Sequence, residues 1–264
     1  MLPATPASTK DLAQLTAAQW NAVLAAEPRQ AMAWMRAAAR LGLAQAQAVA
    51  GQWMLDGHGC ERDPTIALHW FLAAAAQNHA MGANMAGRCY ENGWGTPPDL
   101  AKAVPLYRQA AELGLDAGMY NYANQLASGK ALAQDHRKAL GWYSEAASLG
   151  HAKSMTKAGR YFEDGLVVEK NLELAFSSYR QAAEGGDFRG QFCYAGMLAA
   201  RGRKAEALQW LRKVPQTATA NYLREAGTAL VESPDGDIRA IGREMLDLAA
   251  SQSNAAKVAS SRST

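Results

Sequence analysis

Residues 80–115 read AMGANMAGRCYENGWGTPPDLAKAVPLYRQAAELGL, and residues 116–151 read DAGMYNYANQLASGKALAQDHRKALGWYSEAASLGH. Laid one under the other they align without a gap. Gly93 falls on Gly129, Asp99 on Asp135, Tyr107 on Tyr143, and Ala110-Ala111 on Ala146-Ala147. The offset of 36 residues continues in both directions and gives four full units, 44–79, 80–115, 116–151 and 152–187. Gly57 and Gly165 keep this spacing, as do Ala74-Ala75 and Ala182-Ala183. Half a unit precedes the array, marked by Ala31, Trp34, Met35, Ala38, Ala39 and Gly42. A fifth unit, 188–214, follows with four residues missing from its loop; its Ala207, Leu208, Trp210 and Leu211 match Ala67, Leu68, Trp70 and Phe71. A fixed period of this length marks stacked supersecondary units.

Each unit reads as two helices. Helix A, for example Ala44–Leu55, is stopped by a glycine, which takes the left-handed conformation without Cβ strain. Helix B begins at Asp63, Asp99, Asp135 or Asn171, whose side-chain oxygen satisfies free backbone N–H groups of the first turn. Pro64 sits at the first helical position, where its missing N–H costs nothing. Pro105, well inside its helix B, predicts a kink. Trp70, Leu106, Trp142 and Trp210, each followed by Phe71, Tyr107, Tyr143 or Leu211, read as the packed seam between units, at a spacing that argues against a ligand box. One hairpin cannot bury its apolar stripe and several stacked hairpins can. The fold class is therefore all-α, a right-handed α-solenoid of helical hairpins.

Composition narrows the function. The chain has 264 residues, 57 of them Ala, with 19% charged residues and a mean hydropathy of -0.25. That excludes a disordered polyelectrolyte, and no apolar run approaches the roughly 20 residues of a membrane span. The start has two prolines and no apolar core, so no secretory signal is read there. A net charge of +3 is too mild for a nucleic-acid partner. Cys60, Cys89 and Cys193 are odd in number and off the period, which argues for free thiols and a cytoplasmic location. His58-Gly59-Cys60 lacks two further ligands and reads as a loop, not a metal site. There is no P-loop, GxSxG, HExxH or GxGxxG, and the Gly57-His58-Gly59 and Gly93-Trp94-Gly95 turns follow helices, not strands. No catalytic residue, metal or cofactor is expected.

The ends depart from the period. Residues 1–10 are expected to be a flexible tail, with a helix over 11–27 opening a degenerate first unit, 11–43. After Pro215 the repeat is lost. Residues 215–252 read as a capping hairpin, as the end of a solenoid requires, and 253–264 as a disordered tail.

These residues resemble the Sel1-like repeat, a relative of the tetratricopeptide repeat. The unit 44–79, AQAQAVAGQWMLDGHGCERDPTIALHWFLAAAAQNH, shows the pattern, and 80–115 matches it through Gly87, Tyr90, Gly93, Gly95, Asp99, Ala103, Tyr107, Ala110, Ala111 and Gly114. Ala131, Val167 and Ser178 depart from it. The resemblance implies a non-catalytic bacterial scaffold or adaptor that binds a protein or peptide. Alternatives are a neutralising (immunity) protein for a secreted toxin and, in a different class, an enzyme with a site in its groove.

The helix-A positions not needed for packing are the second, fifth, sixth, ninth and twelfth of each unit, and they form one stripe. It is expected to line a concave groove. From it we take Asn84, Arg88, Tyr120, Asn121, Asn124, Lys153, Lys157, Arg160, Arg189 and Phe192 as candidate partner-binding residues. Tetratricopeptide co-chaperones hold a terminal carboxylate from such positions. Asn121, Lys153 and Lys157 are similar to that clamp, whereas Asn84 and Arg88 depart from it. The resemblance implies an acidic or carboxylate-ending partner, because cationic donors favour carboxylates. The sequence gives neither the partner nor the oligomeric state.

Overall fold

The computed structural model describes residues 5–261, with side-chain surroundings for residues 5–254. Among the described residues there are fifteen α-helices and no strand. They fall into two compact units, residues 1–142 and 143–264.

The first unit opens with α1 (Thr9–Ala13), α2 (Ala17–Leu24) and α3 (Pro28–Arg40). The hairpins α4 (Ala44–Asp56)/α5 (Pro64–Ala75) and α6 (Ala80–Asn92)/α7 (Leu100–Glu112) follow, then α8 (Asp116–Ser128) and the start of α9 (His136–Ser148). The expected tail 1–10 and single helix 11–27 are corrected here. Ser8 accepts from Asp11 N–H and starts α1, and Thr16 accepts from Gln19 N–H and starts α2. Two capping boxes thus break the segment into two short helices. Residues 1–4 lie outside the described residues.

The second unit contains the rest of α9, α10 (Ala152–Asp164), α11 (Leu172–Glu184), α12 (Phe188–Ala200) and the shortened α13 (Lys204–Leu211). A 3-10 turn at Val214–Gln216 leads to α14 (Ala220–Val231) and α15 (Gly236–Ser261). The last helix runs to Ser261, beyond the point where a disordered tail was expected at Ser253; residues 262–264 lie outside the described residues. The terminal hairpin is part of the core, since Leu223, Met245 and Ala249 join the cluster of Tyr179, Leu198 and Leu211. Lys204 Nζ reaches Asp235 at 2.6 Å and Asp237 at 2.7 Å, tying α13 to the α14–α15 corner.

The repeat grammar appears as read. Gly57, Gly93, Gly129 and Gly165 end the A helices with φ between 66° and 77°. Asp63, Asp99, Asp135 and Asn171 each accept backbone N–H groups of the helix they begin. The second loop glycine has a separate cause. A Cβ on Gly95 would stand 2.3 Å from the Pro64 carbonyl oxygen, so the loop lies directly on the start of the preceding helix B. Pro105 does not break α7, which is helical on both sides of it.

One expectation about packing is corrected. Phe71, Tyr107, Tyr143 and Tyr179 are the fully buried rings of α5, α7, α9 and α11; Trp34 on α3, at the register of Trp70, is fully buried as well. Trp70, Leu106, Trp142 and Trp210, one residue earlier, are only half-buried. The reason lies on helix A. A Cβ on Gly51, Gly87 or Gly159 would come within 2.8 Å of the Phe71, Tyr107 or Tyr179 ring, so that ring packs directly against the glycine. A neighbouring residue on a helix is turned by about 100° and points to the edge of the seam.

Candidate functional site

In the first unit, α6 and α8 carry Asn84, Arg88, Tyr120, Asn121 and Asn124. Asn84 is only 3% exposed, and its Oδ1 accepts from Asn121 Nδ2 at 2.8 Å. Its side chain is therefore a buried joint between α6 and α8, with its acceptor taken by Asn121. Two turns further along α6, Glu91 Oε1 accepts from Gln125 Nε2 at 2.8 Å and Glu91 Oε2 from the Tyr107 hydroxyl at 2.5 Å. Burial first, and the Glu91 contact second, hold the Tyr107 phenol far above the ordinary tyrosine range. The Arg88 guanidinium lies 5.1 Å above the Trp94 ring and 3.5 Å from Met85 Sδ. Tyr120 and Asn124 are half-buried and already engaged. On this face most of the polar groups hold the helices to one another, as buried polar groups must.

In the second unit the same register does something different. Helices α10, α12 and α14 surround a pocket of about 590 Å³. Lys157 and Arg160 come from α10, and Arg189 and Phe192 from α12. Lys153 is exposed on α10 but does not line the pocket. Leu172, Phe192, Cys193, Met197, Tyr222, Ala226 and Ala229 supply its apolar wall.

The cations are held in distinct ways. The Arg189 guanidinium carbon is 4.6 Å from the Phe188 ring centre and 5.0 Å from that of Tyr222, and the two rings touch each other with their centres 4.7 Å apart, so the cation sits over an aromatic pair. Desolvation, followed by repulsion from Arg189 and Arg160, pulls Lys157 below the usual lysine range. Among the described residues, none of Lys157, Arg160 and Arg189 forms an ion pair with a carboxylate. The pocket's acids are placed otherwise. Glu163 Oε2 accepts from the Tyr179 hydroxyl at 2.7 Å, and Glu225 sits on α14. Asp187 caps α12 through Gly190 N–H at 3.0 Å and accepts the Thr156 hydroxyl at 2.6 Å. Burial pushes the Cys193 thiol up to about 11, with Arg160 opposing, so it is a poor nucleophile near neutral pH.

Sequence reading missed Tyr222, Glu225 and the rest of the α14 wall, because the period ends before them. A signal was nonetheless present. Leu223, Ala226, Gly227 and Leu230 mark the packed face of α14, which leaves Tyr222, Glu225 and Ala229 on the adjoining one.

Helical hairpins recurring every 36 residues, with their A helices presenting a polar stripe, define an α-helical repeat protein of the solenoid class. This chain belongs to the Sel1 repeat family: the family model matches residues 24–43, 44–79, 80–115, 116–151 and 152–187, more than half of the sequence. The chain is similar to a solved Sel1 repeat protein from Oxalobacter formigenes, with 24% identity and a TM-score of 0.74, over 87% of this chain and 94% of that one. It is also similar to immunity protein Pa5087 from Pseudomonas aeruginosa, with 16% identity and a TM-score of 0.51 over 79% of this chain and 81% of that one. For immunity protein PA5088 from the same organism the values are 17%, 0.50, 79% and 82%. At these identities the likeness is one of fold. No curated protein is similar enough to count as a match. Among the described residues no helix is long and apolar enough to cross a membrane.

Proposed function

We propose that this protein is a non-catalytic interaction scaffold, an adaptor of the bacterial cytoplasm, and that the second unit engages an acidic or carboxylate-ending segment of a partner protein. One observation carries the reading: Lys157, Arg160 and Arg189 line a pocket, and among the described residues no carboxylate forms an ion pair with any of them. Like charges gathered near one another repel, and a ligand that neutralises them relieves that cost. Three free thiols support the cytoplasmic part of the proposal.

The test is reversal of Lys153 and Lys157 to Glu, measured against a partner isolated by pull-down. Binding is expected to weaken more than about tenfold, near 1.4 kcal/mol, with helicity unchanged. Salt is expected to weaken the wild type and leave the double variant flat. Equal binding by the double variant overturns the reading. The alternative, an immunity protein for a secreted toxin, rests on shared fold with the two Pseudomonas proteins; rescue of cells from a co-expressed toxin would decide for it.

A further inference from the structure

We propose that Arg189, seated over the touching rings of Phe188 and Tyr222, is the anchor of this pocket, and that its ligand is a partner segment carrying at least two side-chain carboxylates next to an aromatic side chain. The inference rests on the scaffold reading and deepens it. A guanidinium offers donors only around its edge, in a fixed fork. The Arg189 guanidinium carbon lies over both rings, which pack on each other. Among the described residues nothing hydrogen-bonds to its edge. The two rings therefore hold the guanidinium at the pocket before any ligand arrives, which lowers the ordering cost of a carboxylate contact. One carboxylate would occupy Arg189; Glu163 and Glu225 also line the pocket, but among the described residues neither is ion-paired to Lys157 or Arg160, so these two cations can take a second carboxylate. That favours a run of acidic side chains over a single chain end. Beside the cations, Phe192, Met197 and Tyr222 offer an apolar wall suited to an aromatic ring. Tyr222 thus makes the terminal hairpin part of the binding site as well as a cap.

The probe is the blocked tripeptide acetyl-Glu-Asp-Phe-amide, followed by ligand-detected NMR on the purified full chain. Two controls accompany it: acetyl-Gln-Asn-Phe-amide, which has no charge, and acetyl-Gln-Asn-Phe with a free end, which has one terminal carboxylate. The acidic probe is expected to bind at least about tenfold more tightly than either. Equal binding of the uncharged control overturns the proposal, and so does equal binding of the free-ended one. Arg189→Lys keeps the charge and loses the fork, so it is expected to lose about as much affinity as Arg189→Ala. Tyr222→Ala should match that loss, and Tyr222→Phe, which keeps the ring, should recover most of it. Wild-type affinity in Arg189→Lys overturns the proposal whether or not Tyr222→Ala folds. The scaffold reading fails separately. A partner whose binding survives Arg189→Lys but falls with the Lys153 and Lys157 reversals defeats only the anchor. Failure of the lysine reversals to affect any partner, with the acidic probe still selected, defeats only the scaffold.

Discussion

Asn121 and Lys157 occupy the same register on two A helices, 36 residues apart. Asn121 donates to Asn84 at 2.8 Å and is part of the frame. Lys157 faces a pocket, forms no ion pair with a carboxylate among the described residues, and has an ammonium destabilised by its surroundings. The comparison teaches that a repeat sets where a side chain points and leaves open whether that side chain is already engaged. In the first unit the stripe includes amides and a carboxylate that reach across to the adjacent A helix, and they satisfy one another. In the second unit it carries long cations, and the acid at the register of Glu91, Glu163, accepts from the Tyr179 hydroxyl and, among the described residues, forms no ion pair with them.

The largest expected effect tests whether the two units share one frame beneath these stripes. Tyr107→Ala and Tyr179→Ala should each destabilise by about 3–5 kcal/mol, because both rings are fully buried. Trp70→Ala should cost less, about 1–3 kcal/mol, since that ring is half-buried. Denaturant melts check this. A Trp70 loss as large as that of Tyr107 would put the seam one residue earlier on helix B.

Glu91 and Glu163 are the next comparison. Glu91 takes two hydrogen bonds, from Tyr107 and Gln125, whereas Glu163 takes one, from Tyr179. Each donor left unpaired costs roughly 1–3 kcal/mol. Glu91→Ala should therefore lower stability more than Glu163→Ala, by about 1 kcal/mol or more. Equal losses would mean that the Gln125 amide finds water when Glu91 is gone.

Asn84→Ala and Lys157→Ala separate frame from site most directly. Asn84→Ala should cost about 1–3 kcal/mol by stranding the Asn121 amide and should not change affinity for the acidic probe. Lys157→Ala should stay within about 0.5 kcal/mol of wild type in stability, since it removes an exposed charge repelled by its neighbours, and should weaken probe binding. The reverse pattern would show that the first unit carries the ligand surface.

The fold was legible because its signals are backbone requirements. A C-cap such as Gly57 needs positive φ, a helix start such as Asp63 needs an acceptor, and both leave one residue type at a fixed place. The seam was harder to phase, because Trp70 and Phe71 are both aromatic and only the glycine opposite, Gly51, tells which one packs directly against the helix. The site was legible as a stripe. Which of its members were occupied was not, since the Asn84–Asn121 bond joins residues 37 apart and depends on the helix spacing. Tyr222 was hidden for another reason: it lies past the last repeat, where no register points to it.

The smallest effect concerns the residue just before helix A. At this register His79 caps α6 in the first unit, while His151 caps α10 and Asp187 caps α12 in the second. His79 Nδ1 accepts from Gly82 N–H at 3.1 Å while Nε2 lies 2.9 Å from Gln45 Oε1. Accepting at Nδ1 requires the neutral ring, with its proton on Nε2 donated to Gln45. Burial holds the His79 pKa below its ordinary 6.5, so the folded chain binds this proton less readily than the unfolded one. The His79 contribution is complete above about pH 6.5. It falls as pH drops from there through the folded-state pKa, then stays flat, because below that value both states carry the proton. The cap is worth on the order of 0.5–1 kcal/mol. His79→Asp keeps an acceptor, a carboxylate that stays ionised at these pH values, so melts from pH 7 to pH 5 should show a smaller loss for the variant than for wild type. Identical pH profiles would mean that protonated His79 turns away and lets water cap α6 at no cost.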